Sequence, residues 1–121
     1  MSVTTQTMLS NVVYGTASGN YDGSSQDFVS EAVPAASYYA GYGAIQTVTY
    51  RVTGFTGTIT IEATLNDNRD TAVWVPVNVY GDGSSTYTDY HPVNVTGNFV
   101  WFRARVQNFD SGEIQFVTVT Y

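Results

Sequence analysis

The stretch that decides the fold reads QTVTYRVTGFTGTITIEATL and covers residues 46–65. Apolar and polar side chains alternate on both sides of Gly54–Gly57, and this period of two is typical of a half-buried β-strand. A four-residue segment with glycine at both ends favours a hairpin loop between strands Gln46–Thr53 and Thr58–Leu65. Pairing around that loop puts six apolar side chains on one face: Val52 with Ile59, Tyr50 with Ile61, and Val48 with Ala63.

The following residues continue the same face into a third strand, Val73–Val79, after the polar loop Asn66–Ala72. Shifting the pairing by one residue would turn the whole apolar set towards solvent, so the register is strongly specified. Proline has no N–H to donate, so Pro76 predicts that this strand is an edge or carries a bulge there. The expected contacts of the meander are Leu65 with Val73, Ala63 with Val75, Ile61 with Val77, and Ile59 with Val79.

The rest of the chain also alternates between short strand patterns and turn residues, and no segment has helical periodicity. Ile114 and Phe116 break the alternation of the last strand, so either a bulge intervenes there or both faces are covered. The sequence predicts one domain, residues 1–121, with an extended arm at residues 1–6. Its fold class is an all-β antiparallel sandwich, jelly-roll or Ig-like, of about seven to eight short strands. The further strands expected are Met8–Thr16, Asp27–Val33, Thr86–Tyr90, Asn98–Gln107 and Glu113–Tyr121.

The charge balance bears on possible partners. Ten carboxylates oppose four arginines, lysine is absent, and the formal net charge is −6. Binding to phosphate backbones or anionic membranes relies on clustered basic side chains, so neither nucleic acid nor a membrane is the expected partner. There is no cysteine for disulfides or thiolate chemistry. The first six residues lack the basic start and apolar run of a signal peptide.

Few residues are candidates for catalysis. His91 is the only histidine, and it precedes Pro92 in what reads as a surface turn. Glu62 is expected in a surface ion pair with Arg51, diagonally across the hairpin. Oxygen side chains cluster in Asn66–Asp70, but the spacing is not that of a calcium loop and an Asx-rich turn is favoured. We therefore expect no enzyme, no cofactor and no metal.

Aromatic and arginine side chains on outward positions are the better candidates for function. Trp74 is expected on the outward face of its strand, and a second outward row is expected from Phe99 to Arg105. Tryptophan and arginine are enriched at binding hot spots. The alternative is that the chain itself, for instance Met8–Tyr14, covers one row. The candidate interface or ligand-binding residues are Trp74, Pro76, Phe99, Trp101, Arg103, Arg105, Tyr38, Tyr39 and Tyr42.

Two motifs carry a resemblance to a known class of proteins. One is GFTGTITIEATL at residues 54–65 with WVPV at 74–77, and the other is VTGNFVWFRARV at 95–106 with DSGEI at 110–114. Over residues 44–121 the chain resembles virion proteins of tailed bacteriophages, most closely small structural proteins of contractile-tailed phages that infect marine cyanobacteria.

The resemblance implies a non-enzymatic particle component assembled in the host cytoplasm. Such a component would be a capsid decoration protein or an accessory subunit of the tail, neck or baseplate. Its partners would be other virion proteins and copies of itself. The alternative is a β-sandwich module that binds carbohydrate or a host receptor, including a host surface glycan, because tryptophan and tyrosine rings can stack on sugars.

Overall fold

A computed structural model describes residues 4–36 and 44–121, and nearly all of the regular structure in these ranges is β-strand. The strands pair antiparallel in one hydrogen-bonded sheet. The expectation of an all-β, antiparallel, sandwich-like fold is therefore confirmed. Within the described ranges the strands are β1 (Thr5–Val13), β2 (Phe28–Val29), β3 (Val33–Pro34), β4 (Ala44–Thr64), β5 (Val75–Tyr80), β6 (Thr86–Gly97) and β7 (Trp101–Thr120).

Two long strands, β4 and β7, pass through both layers of the sandwich. In the first layer, the N-terminal half of β4 lies between β6 and the C-terminal half of β7, and β1 flanks β7. In the second layer, the C-terminal half of β4 lies between β5 and the N-terminal half of β7, which β2 and β3 flank. Contacts between the layers include the stacked rings of Tyr50 and Tyr80, with centroids 4.8 Å apart.

The two long strands, β4 and β7, bend where they lie side by side in the ladder. Gly54 and Gly57 in β4 have φ of 60° and 154°, and Asn108 and Gly112 in β7 have φ of 55° and 82°. L-residues with a Cβ rarely adopt such positive values, which explains the glycines. The pairing of β4 with β7 also shifts register between residues 51 and 58, as expected for bulges that turn a strand through a corner.

The predicted hairpin at Gly54–Gly57 is wrong, because residues 44–64 form one bent strand. Its two halves lie in different layers and each pairs with β7. The two strands expected at Asn98–Gln107 and Glu113–Tyr121 are likewise not separate, since residues 101–120 form one strand. The six side chains assigned to one apolar face are nevertheless at most 1% exposed. A closed hairpin and a strand folded over a core turn the same residues inward, so the alternation does not distinguish them.

Strand β5 is an edge with a bulge at Pro76, as the proline predicted. Val75 pairs with Ala63 as expected, but the bulge then shifts the register, so that Asn78 opposes Ile61 and Tyr80 opposes Ile59. The predicted inward positions of Val73, Val75 and Val79 are wrong, and Val75 is 44% exposed despite its pairing, whereas Val77 packs against the core as predicted. Val73 and Val79 are 74% and 59% exposed, whereas Tyr80 is buried.

The ends of several strands differ from the expected ones. Residues 4–6 are not an arm, because Thr4 exchanges backbone hydrogen bonds with Tyr121 and β1 begins at Thr5. The segment 27–33 is split into β2 and β3. Strand β6 continues through His91-Pro92 instead of turning there, and Pro92 is accommodated because β4 is the only described strand that pairs with β6. Of the two alternatives left open near Ile114, the bulge is present, since Phe116 opposes Arg51 but Ile114 opposes Val52.

Candidate binding surface

The outer face of the second layer holds four of the nine residues predicted to form an interface. Across the β4–β7 ladder, Glu62 pairs with Arg103, Thr64 with Trp101 and Thr60 with Arg105. The residues between them along β7, Phe102 and Ala104, are fully buried. Trp101, Arg103 and Arg105 therefore project outwards as one row, as predicted from the alternation.

Glu62 links the two arginines of this row. Arg103 donates from Nε to Oε1 of Glu62 at 2.7 Å, and Arg105 donates from Nε to Oε2 at 3.2 Å. The Glu62 side chain is 13% exposed, whereas those of Arg103 and Arg105 are 23% and 38% exposed. The expected ion pair of Glu62 with Arg51 is wrong, because Arg51 lies in the first layer, where it contacts Gln115 and Tyr90.

The loop between β4 and β5 folds over the end of the same row. Trp101 donates from Nε1 to the backbone oxygen of Asp67 at 2.9 Å, and the Arg69 guanidinium lies 5.3 Å from the centre of the Trp101 ring. The Arg103 guanidinium lies 4.3 Å from the centre of the Trp74 ring. The sequence predicted two separate patches, Trp74 and the row from Trp101 to Arg105. These contacts join them into one surface. We call Arg69, Trp74, Trp101, Arg103 and Arg105 the aromatic–arginine surface.

Asparagine side chains hold this loop in shape. Asn66 Oδ1 accepts hydrogen bonds from the Thr64 hydroxyl and from the backbone N–H of Val73, which closes the loop at its base. Asn68 Oδ1 accepts from the backbone N–H of Asp70. These contacts are those of an Asx-rich loop. Among the described residues, no group of three or more acidic, histidine or cysteine side chains is placed to bind a metal ion.

The remaining predicted interface residues do not belong to this surface. Phe99 precedes β7 and packs against the core, with its ring 5.8 Å from that of Phe102, so its assignment to the outward row is wrong. Pro76 is exposed on the edge strand beside Trp74. The proposed cover by Met8–Tyr14 is also wrong, because β1 lies beside the C-terminal half of β7 in the first layer. The candidates Tyr38, Tyr39 and Tyr42 lie outside the described residues.

His91 lies on β6, where its ring is 5.6 Å from that of Tyr80 and 6.3 Å from that of Tyr50. Ser84 and Ser85 both donate hydrogen bonds to Asp82 in the loop before β6. His91 thus packs against aromatic rings, and the two serine hydroxyls are hydrogen-bonded within their own loop. No helix among the described residues is long and apolar enough to cross a lipid bilayer.

Sequence reasoning missed the part played by the loop. The sequence predicts only an Asx-rich turn at Asp67 and Arg69, yet both residues contact Trp101 directly. No spacing in the sequence indicates these contacts, because Trp101 is distant from both residues along the chain and the contacts depend on how the loop folds. Comparisons with protein-family models, with curated proteins and with solved structures give no match for this chain.

Proposed function

We propose that this chain is a non-catalytic structural subunit of a tailed-phage virion. It is a capsid decoration protein or an accessory of the tail, neck or baseplate, and it docks on another particle protein through the aromatic–arginine surface. The setting in a particle rests on the resemblance of residues 44–121. The docking role rests on one observation: Arg103 is held between the ring of Trp74 and the carboxylate of Glu62 on a partly exposed face.

This arrangement supports docking because the contact groups are already ordered. A free arginine loses rotamer freedom when it binds, which weakens the association. The contacts with Trp74 and Glu62 fix the Arg103 guanidinium before any partner arrives. Tryptophan and arginine are also the side chains that most often dominate binding energies at interfaces.

A small cavity beside Trp74 provides a place for a partner side chain. Its volume is about 180 Å³. Hot-spot residues of one protein commonly fill such pockets on the other. Its lining combines one aromatic ring with charged and small residues: Ser30, Glu31, Ala32, Arg69, Asp70, Trp74 and Arg103.

The surface presents both charges, because Glu31 and Asp70 line its cavity beside Arg69 and Arg103, and this favours a partner of complementary mixed charge. Three of the four arginines in a chain of net charge −6 lie here. Glu62 is the one carboxylate that forms an ion pair with them within the described ranges. Complementary charges of this kind steer association and make its rate fall with added salt.

Mass spectrometry of washed particles from the encoding phage tests whether the chain is a virion component. Rebinding of the purified chain to particles that lack it tests whether the aromatic–arginine surface is the docking site. We expect the chain in washed particles, and we expect Trp74→Ala and Arg103→Glu to abolish rebinding. Arg51→Ala is the matched control, because Arg51 also contacts an aromatic ring but lies in the first layer. Absence from the particles would refute the virion role. Equal rebinding by all three variants would refute the surface.

A further inference from the structure

The outer face of the first layer carries a regular array of hydroxyl side chains. The same motif, Thr-x-Thr, occurs on three adjacent strands at residues 5–7, 47–49 and 118–120. The intervening Val48 and Val119 are fully buried, so the threonines of β4 and β7 face outwards. The strand pairing aligns the array into three rows: Thr5, Thr120, Thr47 and Asn94; Thr7, Thr118, Thr49 and Pro92; Ser10, Phe116, Arg51 and Tyr90.

Eight of the twelve residues in these rows form the floor of a shallow groove with a volume of about 560 Å³. This is within the range of about 300–1,000 Å³ for small-molecule sites. The ten lining residues are all uncharged, although the chain as a whole is acidic. We call them the threonine groove: Thr5, Thr7, Ser10, Asn11, Thr49, Tyr90, Gln115, Phe116, Thr118 and Thr120.

Hydroxyl groups in the middle of the groove are available to a ligand. The hydroxyls of Thr5 and Thr120 contact each other at 3.1 Å. Within residues 4–36 and 44–121, those of Thr7, Thr49 and Thr118 have no hydrogen-bond partner. A hydroxyl both donates and accepts, and so do the amides of Asn11 and Gln115 at the sides. The matching ligand is one whose own groups also donate and accept.

One end of the groove is aromatic. The rings of Tyr90 and Phe116 meet edge to face with centroids 6.0 Å apart, and Tyr90 is 56% exposed. The Arg51 guanidinium lies 5.4 Å from the centre of the Tyr90 ring and donates to Gln115, so the pair is fixed from one side. Exposed aromatic rings with a polar edge suit a ligand that has both C–H and O–H faces.

We infer that the threonine groove binds a neutral oligosaccharide, with sugar hydroxyls on the threonine rows and a pyranose C–H face against Tyr90 and Phe116. An anionic polymer would need several cations along the floor, whereas the only charged side chain in the three rows is Arg51, whose guanidinium already contacts Tyr90 and Gln115. A peptide added as a strand would need free backbone groups, but the backbone of β7 is paired on both sides here. This site lies in the first layer and is independent of the docking surface proposed above.

The test is binding of neutral hexasaccharides of glucose, mannose, galactose, xylose and N-acetylglucosamine to the purified full chain. A glycan array selects the best binder and isothermal titration calorimetry measures its affinity. We expect Tyr90→Ala to weaken binding about tenfold and Thr118→Val to weaken it about fivefold, since Thr118→Val replaces only the hydroxyl with a methyl group of similar size. Thr60→Val on the second layer is the matched control, and Trp74→Ala is the control for the aromatic change. Both controls should bind as wild type does.

Each outcome decides the inference. Weaker binding by Tyr90→Ala and Thr118→Val alone, with unchanged thermal denaturation, supports the site. The inference is overturned if no neutral hexasaccharide binds at millimolar concentration or if only anionic glycans bind. It is also overturned if Trp74→Ala loses binding while the two groove variants keep it. None of these results depends on whether the chain is part of a virion.

Discussion

Arg103 and Glu62 face each other across the β4–β7 ladder, with Nε and Oε1 2.7 Å apart. Arg105 shares the second oxygen of the same carboxylate. Glu62→Ala leaves both guanidiniums without this partner, and the site is partly screened by solvent. We expect a loss of about 1–2 kcal/mol in the free energy of unfolding, measured by urea denaturation. The control Glu113→Ala changes a carboxylate on β7 that forms no ion pair among the described residues, and it should cost under about 0.5 kcal/mol. Equal losses would contradict this account.

Gly112 lies where the bend of β7 meets the bend of β4. A Cβ at Gly112 would overlap the carbonyl group of Gly54 and lie 2.6 Å from the backbone nitrogen of Phe55. We expect Gly112→Ala to destabilise the protein by more than about 3 kcal/mol or to prevent folding. Gly15 is the matched control, because its φ of +88° is similar but nothing lies within 4 Å of its Cβ position. Gly15→Ala should cost about 1–2 kcal/mol. Thermal denaturation of both variants checks the difference.

Two loops with the sequence Asp-Gly-Ser-Ser share one hydrogen-bond pattern. The backbone N–H of Ser24, followed by the N–H and hydroxyl of Ser25, lowers the pKa of Asp22 from 3.8 to about 2. The backbone N–H groups of Ser85 and Ser84 hold the pKa of Asp82 well below its usual range. Because these pKa values fall on folding, their stabilisation is present above about pH 4 and is lost as the pH falls towards 2.

We therefore expect Asp22→Asn to lose stability less steeply than wild type between pH 4 and pH 2. Carboxyl carbon NMR of the wild type should give a midpoint for Asp22 near pH 2 and a lower one for Asp82. A midpoint near pH 4 for Asp22 would show that the loop does not hold the carboxylate as described.

Tyr50 is fully buried and donates its hydroxyl to Asn78 Oδ1 at 2.7 Å. Burial, with a smaller contribution from Tyr80, raises the pKa of Tyr50 well above 10. A raised pKa in the folded state stabilises the protein below pH 10, and this contribution is lost as the pH rises above 10. Tyr50→Phe should cost about 1 kcal/mol at pH 7 and should flatten the loss of stability between pH 10 and pH 12. Tyr14→Phe is the control, since Tyr14 is 49% exposed. Parallel pH profiles for wild type and Tyr50→Phe would be the contrary result.

The alternation of residues predicted which side chains are buried better than it predicted which strands pair. Val48, Tyr50, Ile59 and Ile61 are all fully buried, as the period of two required. The predicted pairing between the two halves of β4 was wrong because each half pairs with β7 instead. The residues of β4 alone cannot show that a strand so distant in the sequence takes this place. Four residues with two glycines fit a hairpin loop and a bent strand equally well.

The candidate surface was predicted in part for a similar reason. Side-chain direction along one strand follows from parity, so Trp101, Arg103 and Arg105 were placed correctly. Contacts made by a loop depend on how it folds, and the approach of Arg69 to Trp101 could not be read from spacing. Phe99 was misplaced because β7 begins two residues after it, where the alternation no longer holds.

The passage of β7 through both layers also has a consequence for biosynthesis. This strand pairs with β1, β2, β3 and β4, and it joins residues as distant as Thr5 and Thr120, which are 115 positions apart. A nascent chain on the ribosome therefore exposes the edges of β1 and β4 until residues 101–120 have emerged. Such non-local pairing is slow, on the order of milliseconds to seconds, and unpaired edges aggregate readily in the meantime. The yield of native protein should therefore depend on translation speed and chaperone supply more than its small size would suggest.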